Sequence, residues 1–387
     1  MPSELNISNA QKYLQEIRVH DIESGGRFVS ISGMKGCGKT NLMLLWSHQM
    51  CFIHPATKEV TKETVLWRAR PSLDYWNYYL DPSFEWENDS LKREVRVHYR
   101  TEDKLSFMLE TGELYIPPKN ILSPYSSVVD LFENILPGAI NVIYEPGEYS
   151  PSKAFRDIIT ARGFYGDNVW DNRTIDPTIF WIEFFAFLMQ AKKAGFYTIV
   201  MDEADEVFPQ HPRDLRYACQ LYFKDLTRDL RKHNITYLLS FHTWGDLDWE
   251  ITSKIMYKVW MRGARPPDGS ILMRSNRAWT GARFNPVQLH YLALGHAIIE
   301  NGGWGDTTTR KLKERPRVKT IYHSMKDGID IEAWKPMSNA GRPQKDTPKN
   351  RHAAQAAAWL ADDPIHAAEV AEMVETIKRS RSGPHNP

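Results

Sequence analysis

Gly33-Met34-Lys35-Gly36-Cys37-Gly38-Lys39-Thr40 fits the pattern G-x-x-x-x-G-K-[ST], in a context that gives the pattern physical meaning. Ahead of it, Arg27-Phe28-Val29-Ser30-Ile31-Ser32 reads as a short buried strand. Behind it, residues 41–53 are rich in Leu, Met and Trp and read as a helix. Strand, glycine loop and helix start together make an anion site. The glycines let backbone N–H groups curl around a phosphate, and the helix dipole adds positive potential. In such a site Lys39 reaches the β/γ-phosphates of a nucleoside triphosphate and the Thr40 hydroxyl holds Mg²⁺. The nucleotide-binding set is then Gly33, Gly36, Gly38, Lys39, Thr40 and Asn41, with ATP and Mg²⁺ as the expected ligands. The other reading of the same residues is a glycine turn that binds nothing.

Far downstream, Phe196-Tyr197-Thr198-Ile199-Val200-Met201 is an apolar, β-branched run that ends in Asp202-Glu203. This predicts a buried parallel strand that delivers two carboxylates at its C-terminal edge, where open α/β sheets place their ligands. Asp202 is expected to hold Mg²⁺ through its waters. Glu203 is expected to polarise the attacking water. The competing reading is an acidic helix start, where Asp and Glu are favoured; Asp205 and Glu206 are assigned to that class.

Residues 214–232 have helical spacing (Leu215, Cys219, Tyr222, Phe223, Leu226, Leu230), and Asn234 suits a left-handed helix stop. Ile235-Thr236-Tyr237-Leu238-Leu239-Ser240-Phe241 predicts another buried strand, with His242 at its exit. The segment Arg231-Lys232-His233-Asn234-Ile235-Thr236-Tyr237-Leu238-Leu239-Ser240-Phe241-His242 resembles the corresponding part of the FtsK–HerA superfamily of DNA-pumping ATPases. Asp202-Glu203-Ala204-Asp205-Glu206-Val207-Phe208-Pro209 is similar to that family's second motif. Leu292-Ala293-Leu294-Gly295-His296-Ala297-Ile298-Ile299-Glu300-Asn301-Gly302-Gly303 is similar to its closing Leu-Gly turn and last strand. The likeness spans residues 27–303, with a divergent middle.

The resemblance implies an α/β P-loop NTPase fold of the RecA type. It would have a mainly parallel central sheet flanked by helices, a β-rich insertion and a helical C-terminal tail. It makes Arg231 the arginine finger, with Arg228 one turn earlier as the alternative, and it puts His242 at a sensor position where the family usually has Gln. An imidazole can hydrogen-bond a γ-phosphate or water, with a charge that depends on pH. A finger supplied in trans implies a homo-oligomer, in this family a hexameric ring. The expected partner is double-stranded DNA, moved through the ring in the manner of a viral or mobile-element genome-packaging ATPase. A capsid, nuclease or recombinase is a further candidate partner. The alternatives are a phage-assembly ATPase of the zonula-occludens-toxin type and a nucleotide-dependent switch. Glu203 and Arg231 speak against a small-molecule kinase.

Composition bounds the rest. In 387 residues, 49 Lys and Arg nearly balance 48 Asp and Glu, so any DNA contact must be local. The three cysteines (Cys37, Cys51, Cys219) have no metal-like spacing, which suits a reducing compartment. Cys37 lies in the phosphate loop, either as an oxidation-sensitive group or simply as a small side chain that fits. No apolar run reaches the roughly 18 residues of a membrane span, so a cytoplasmic or virion-associated protein without a membrane anchor is expected. The organisation expected is an N-terminal helical segment (1–26), an ATPase core (27–320) with an insertion at about 68–135, a linker (321–350) and a small tail (351–387). Arg310-Lys311-Leu312-Lys313-Glu314-Arg315-Pro316-Arg317-Val318-Lys319 carries six basic residues that either meet phosphates or form a solvated connector. Arg262, Arg265, Arg274 and Arg277 are further basic candidates, and Gly341-Arg342-Pro343 weakly resembles a minor-groove hook.

Overall fold

The computed structural model describes residues 14–20, 25–54, 56–70, 74–82, 92–109, 114–162, 170, 175–191, 195–265, 288–301, 304–309 and 318–323. The expected tail, most of the linker, Arg274, Arg277 and all but the last two residues of the basic run lie outside them. In chain order the first elements are β1 (Val19–His20), β2 (Phe28–Ser32), α1 (Lys39–Gln49), β3 (Cys51–Ile53), β4 (Val60–Lys62) and β5 (Thr64–Ala69). Then come β6 (Val95–Arg100), β7 (Lys104–Leu109), β8 (Leu114–Tyr115), β9 (Leu122–Tyr125), α2 (Val128–Asn134) and β10 (Ile140–Tyr144). They are followed by α3 (Lys153–Ala161), α4 (Ile179–Gln190), β11 (Tyr197–Met201), α5 (Asp214–Leu226) and β12 (Ile235–Phe241). The last are α6 (Trp249–Thr252), β13 (Tyr257–Met261), α7 (Gln288–Tyr291), β14 (His296–Asn301), β15 (Trp304–Thr309) and β16 (Val318–His323).

Among the described residues, ten strands form one sheet in the order β15-β14-β13-β2-β12-β11-β5-β10-β6-β9. From β13 to β9 every neighbouring pair is parallel, while β14 and β15 close one edge antiparallel. The sequence dictates this. β2, β10, β11 and β12 are uninterrupted runs buried at every position, as strands covered on both faces must be. One face is covered by α2, α3, α4 and α5, the other by α1 with Trp76, Tyr78 and Tyr79. This is the α/β, mainly parallel architecture of the P-loop class that the motifs led us to expect. α4 is the heaviest wedge: Phe180, Trp181, Phe184 and Phe185 are all fully buried, each contributing about 2–3 kcal/mol. No helix among the described residues is long and apolar enough to cross a membrane.

Two local readings need correction. The helix after the glycine loop does not run on to Ile53; it stops at Gln49, and Met50 is extended (φ −65°, ψ 120°). The carbonyls at its end are claimed from elsewhere: Arg93 donates to the oxygens of His48 (2.9 Å) and Met50, and the Glu63 N–H donates to Met50 (3.1 Å). Cys51–Ile53 is thereby released to pair with β1 and β4. The helix expected over 214–232 is α-helical only to Leu226 and tightens to a 3₁₀ turn over Thr227–His233, with Asn234 left-handed (φ 56°) as anticipated. The β-rich stretch in the middle supplies β6 and β9 to the far edge of the main sheet. It also supplies β7 and β8 to a small sheet completed by β16.

Candidate active site

Because β2, β12, β11 and β5 are parallel neighbours, their C-terminal ends open on one edge, and the candidate residues gather there. The loop Gly33–Gly38 links β2 to α1. Gly36 (φ 78°) and Gly38 (φ 102°) take backbone angles that side chains resist, and Gly38 turns the chain into the helix. Cys37 is buried against Gly33, whose added Cβ would stand 2.6 Å from its Sγ. Burial pushes the Cys37 thiol pKa up, against the opposing pull of Lys39. It fills space and is not the exposed, thiolate-prone group that redox sensing needs.

Lys39 folds back over the loop. Its Nζ donates to the carbonyls of Gly33 (2.9 Å) and Met34 (3.3 Å), and lies 3.1 Å from Nδ1 of His242 at the end of β12. An ammonium only donates, so Nδ1 is the acceptor and the ring proton sits on Nε2. That atom lies 4.0 Å from Oε1 of Glu203. Thr40 Oγ1 donates to Asp202 Oδ2 at 2.6 Å, across 162 residues of sequence. Oδ1 of Asp202 accepts from the Glu203 N–H (3.1 Å) and from the Ser240 hydroxyl of β12. Asn41 sits in the first turn of α1, behind the loop. The structure therefore brings together Gly33, Gly36, Gly38, Lys39, Thr40, Asp202, Glu203 and His242.

Glu203 is held in an unusual state. Its backbone is left-handed (φ 51°), a conformation that costs about 1 kcal/mol in a non-glycine residue. Its carboxylate pairs with Arg70 Nη2 at 2.7 Å. The same Nη2 meets Glu206 Oε1 at 2.9 Å, and Glu206 Oε2 meets Arg68 Nη2 at 2.9 Å. Arg68 Nε in turn pairs with Glu145 Oε1 (2.5 Å), which also accepts from Trp181 Nε1 (2.8 Å). Burial works against the charge of Arg68, but Glu145 and Glu206 outweigh it and hold the guanidinium pKa above its usual value. These residues escaped the sequence reading. Glu206 does stand in the first turn of a short 3₁₀ helix, Ala204–Glu206, but it also bridges two arginines at the exit of β5, Arg68 within the strand and Arg70 just past its end. The available signal was the pair of arginines at the exit of a buried strand, next to the strand that carries Asp202.

Arg231 and Arg228 are not gathered here. Both lie on the 3₁₀ turn that leads into the start of β12, at the edge of the sheet opposite His242, roughly 20 Å away along the strand. The side chain of Arg231 lies outside the described residues. Arg228 is exposed, with Asp225 at 3.8 Å. Of the further basic candidates, Arg262 is half-buried and Arg265 exposed, just beyond β13.

No family model matches the chain, and no curated protein matches it. Among solved structures it is similar to the genome packaging NTPase B204 from Sulfolobus turreted icosahedral virus 2 in complex with ATP-gammaS. The identity is 11%, the match covers 74% of this chain and 97% of that one, and the TM-score is 0.38. The same NTPase in complex with AMPPCP gives 12% identity, 74% and 99% coverage and a TM-score of 0.39. The N-terminal domain of zonular occludens toxin from Neisseria meningitidis gives 9% identity, 75% and 96% coverage and a TM-score of 0.28. At these scores the likeness carries no weight for residue roles, which rest on the geometry above.

Proposed function

We propose that the protein is an ATP hydrolase whose phosphate loop, Gly33–Thr40, binds the triphosphate and whose turnover drives a ring-shaped motor on double-stranded DNA. The observation that carries the hydrolase reading is the convergence of Lys39, Thr40, Asp202, Glu203 and His242 at one sheet edge, anchored by the 2.6 Å contact of Thr40 with Asp202. A hydroxyl and a carboxylate this close are hard oxygen donors suited to Mg²⁺. When bound there, the ion would neutralise charge on the β- and γ-phosphates. Lys39, already pointing into the loop, exchanges its contacts with the Gly33 and Met34 carbonyls for phosphate oxygens. His242 accepts from Lys39 through Nδ1 and presents Nε2–H outward, a donor for the terminal phosphate or its attacking water. Glu203, whose Oε1 lies 4.0 Å from that nitrogen and which takes no side-chain part in the Thr40–Asp202 pair, serves as the acceptor that orients the water.

The motor reading is supported by the resemblance of the Arg231–His242 segment to DNA-pumping ATPases. The position of the 3₁₀ turn agrees with it, because Arg231 and Arg228 stand too far from their own loop to serve it. An arginine from there acts on a neighbouring protomer's nucleotide, as a ring requires. Steady-state hydrolysis with and without long double-stranded DNA, alongside sedimentation, tests this. Severalfold stimulation together with a ring-sized species supports a DNA motor of genome-packaging type. Hydrolysis indifferent to DNA transfers the reading to an assembly ATPase with a protein partner.

A further inference from the structure

The contacts at the phosphate loop also bear on which way a nucleotide would lie in it. His242, Asp202 and Glu203 approach from β12 and β11, on one side of β2, and engage the two side chains that take the terminal phosphates, Lys39 and Thr40. The other side of β2, toward β13 and β14, is left for the nucleoside end. There the turn before β14 docks on the loop itself. The Gly295 N–H donates to the Cys37 carbonyl (3.4 Å), and a Cβ built on Gly38 would stand 4.0 Å from the Cα of Gly295. The turn is closed by the His296 N–H on the Ala293 carbonyl (3.1 Å), and Leu289 anchors its other end in the core. Two large apolar side chains of this segment face solvent, Tyr291 at the end of α7 at 83% exposure and Leu294 in the turn at 54%. Exposing both in a segment whose turn is fixed to the phosphate loop serves no packing purpose, while a flat aromatic ring near an aliphatic side chain suits a nucleobase.

We propose that Tyr291 and Leu294 form the base-binding face of the site, with Tyr291 stacking on the base of the nucleotide whose phosphates the Gly33–Thr40 loop holds. The assignment rests on the phosphate-loop reading above and adds the residues that recognise the nucleoside. A ring face binds any base, so the stack supplies affinity for a nucleoside over a bare phosphate chain rather than discrimination between bases.

Equilibrium binding of ATP and of inorganic tripolyphosphate to wild type, Tyr291→Ala, Tyr291→Phe and Lys39→Ala tests it. Tyr291→Ala should weaken ATP about tenfold, the scale of one base–aromatic stack, and leave tripolyphosphate unchanged. Tyr291→Phe should bind both as wild type does. A Tyr291→Ala protein that keeps wild-type affinity for ATP, or that loses ATP and tripolyphosphate equally, overturns the assignment. Lys39→Ala reports on the other claim: wild-type affinity for both ligands in that variant contradicts the phosphate loop, whatever Tyr291 does.

Discussion

Arg70 Nη2 and Glu203 Oε2 are 2.7 Å apart, so the carboxylate assigned to orient the attacking water is held by a guanidinium from just beyond the neighbouring strand β5. The same nitrogen grips Glu206, and Arg68 ties Glu206 back to Glu145 and Trp181 in the core. Arg70 is thus a positioning residue. Arg70→Ala is expected to lower kcat about tenfold and change KM less than twofold, because Glu203 loses its support and the phosphate loop does not. Arg70→Lys should recover little, since one compact ammonium cannot replace a fork that serves two carboxylates. Steady-state kinetics on the two variants decide it; an unchanged kcat in Arg70→Ala removes Arg70 from the account.

His242 accepts a hydrogen bond from Lys39 through Nδ1. A glutamine amide also has one acceptor and donors in the same side chain, so His242→Gln should keep hydrolysis within about threefold, whereas His242→Ala should lose about tenfold or more. Comparing the two rates at saturating ATP checks this. Equal losses would show that the imidazole does something an amide cannot.

Gly33 has no room for a methyl group: its Cβ would meet Cys37 Sγ at 2.6 Å and Met261 Cβ at 3.0 Å. Gly33→Ala is expected to destabilise the fold by about 1–3 kcal/mol, the scale of overpacking. Cys37→Ala removes the nearer obstacle, so the double variant should recover part of that loss. Denaturant midpoints of the four proteins measure the coupling, and strictly additive effects would contradict the contact.

Glu183 is buried in α4, where it accepts from the Tyr149 hydroxyl and the Ser152 N–H. Burial pushes its carboxyl pKa up to about 7. A carboxyl whose folded-state value is raised above its unfolded one binds a proton in the native state that the unfolded chain has released. Its contribution to stability is therefore fully present below about pH 4.5 and is lost as pH rises to about 7. Glu183→Gln should flatten that slope and gain on wild type by up to about 3 kcal/mol above neutral pH. Urea unfolding of both proteins at pH 5 and pH 8 reads this directly, and parallel pH dependences would contradict it.

The legible parts of the molecule were those written in contiguous residues. β2, the glycine loop, β11 with Asp202 and β12 with His242 are each an apolar run ending in a polar group, and local sequence suffices for that. β3 was absorbed into the preceding helix because what stops α1 is Arg93, 43 residues beyond Met50. The Arg68–Glu206–Arg70 bridge was invisible for the same reason: each member looks like an ordinary surface charge, and only the β5–β11 pairing makes them neighbours. Ser240 read as strand filling, although its hydroxyl caps Asp202.

The most direct test of the central claim is release of phosphate from ATP by wild type, Lys39→Ala and Glu203→Gln, each with Mg²⁺ and with chelator, alongside equilibrium ATP binding. Turnover should require Mg²⁺ and should vanish in both variants, with binding lost in Lys39→Ala and kept in Glu203→Gln. Turnover at the wild-type rate in Lys39→Ala would contradict the assignment of Gly33–Thr40 as the catalytic phosphate loop.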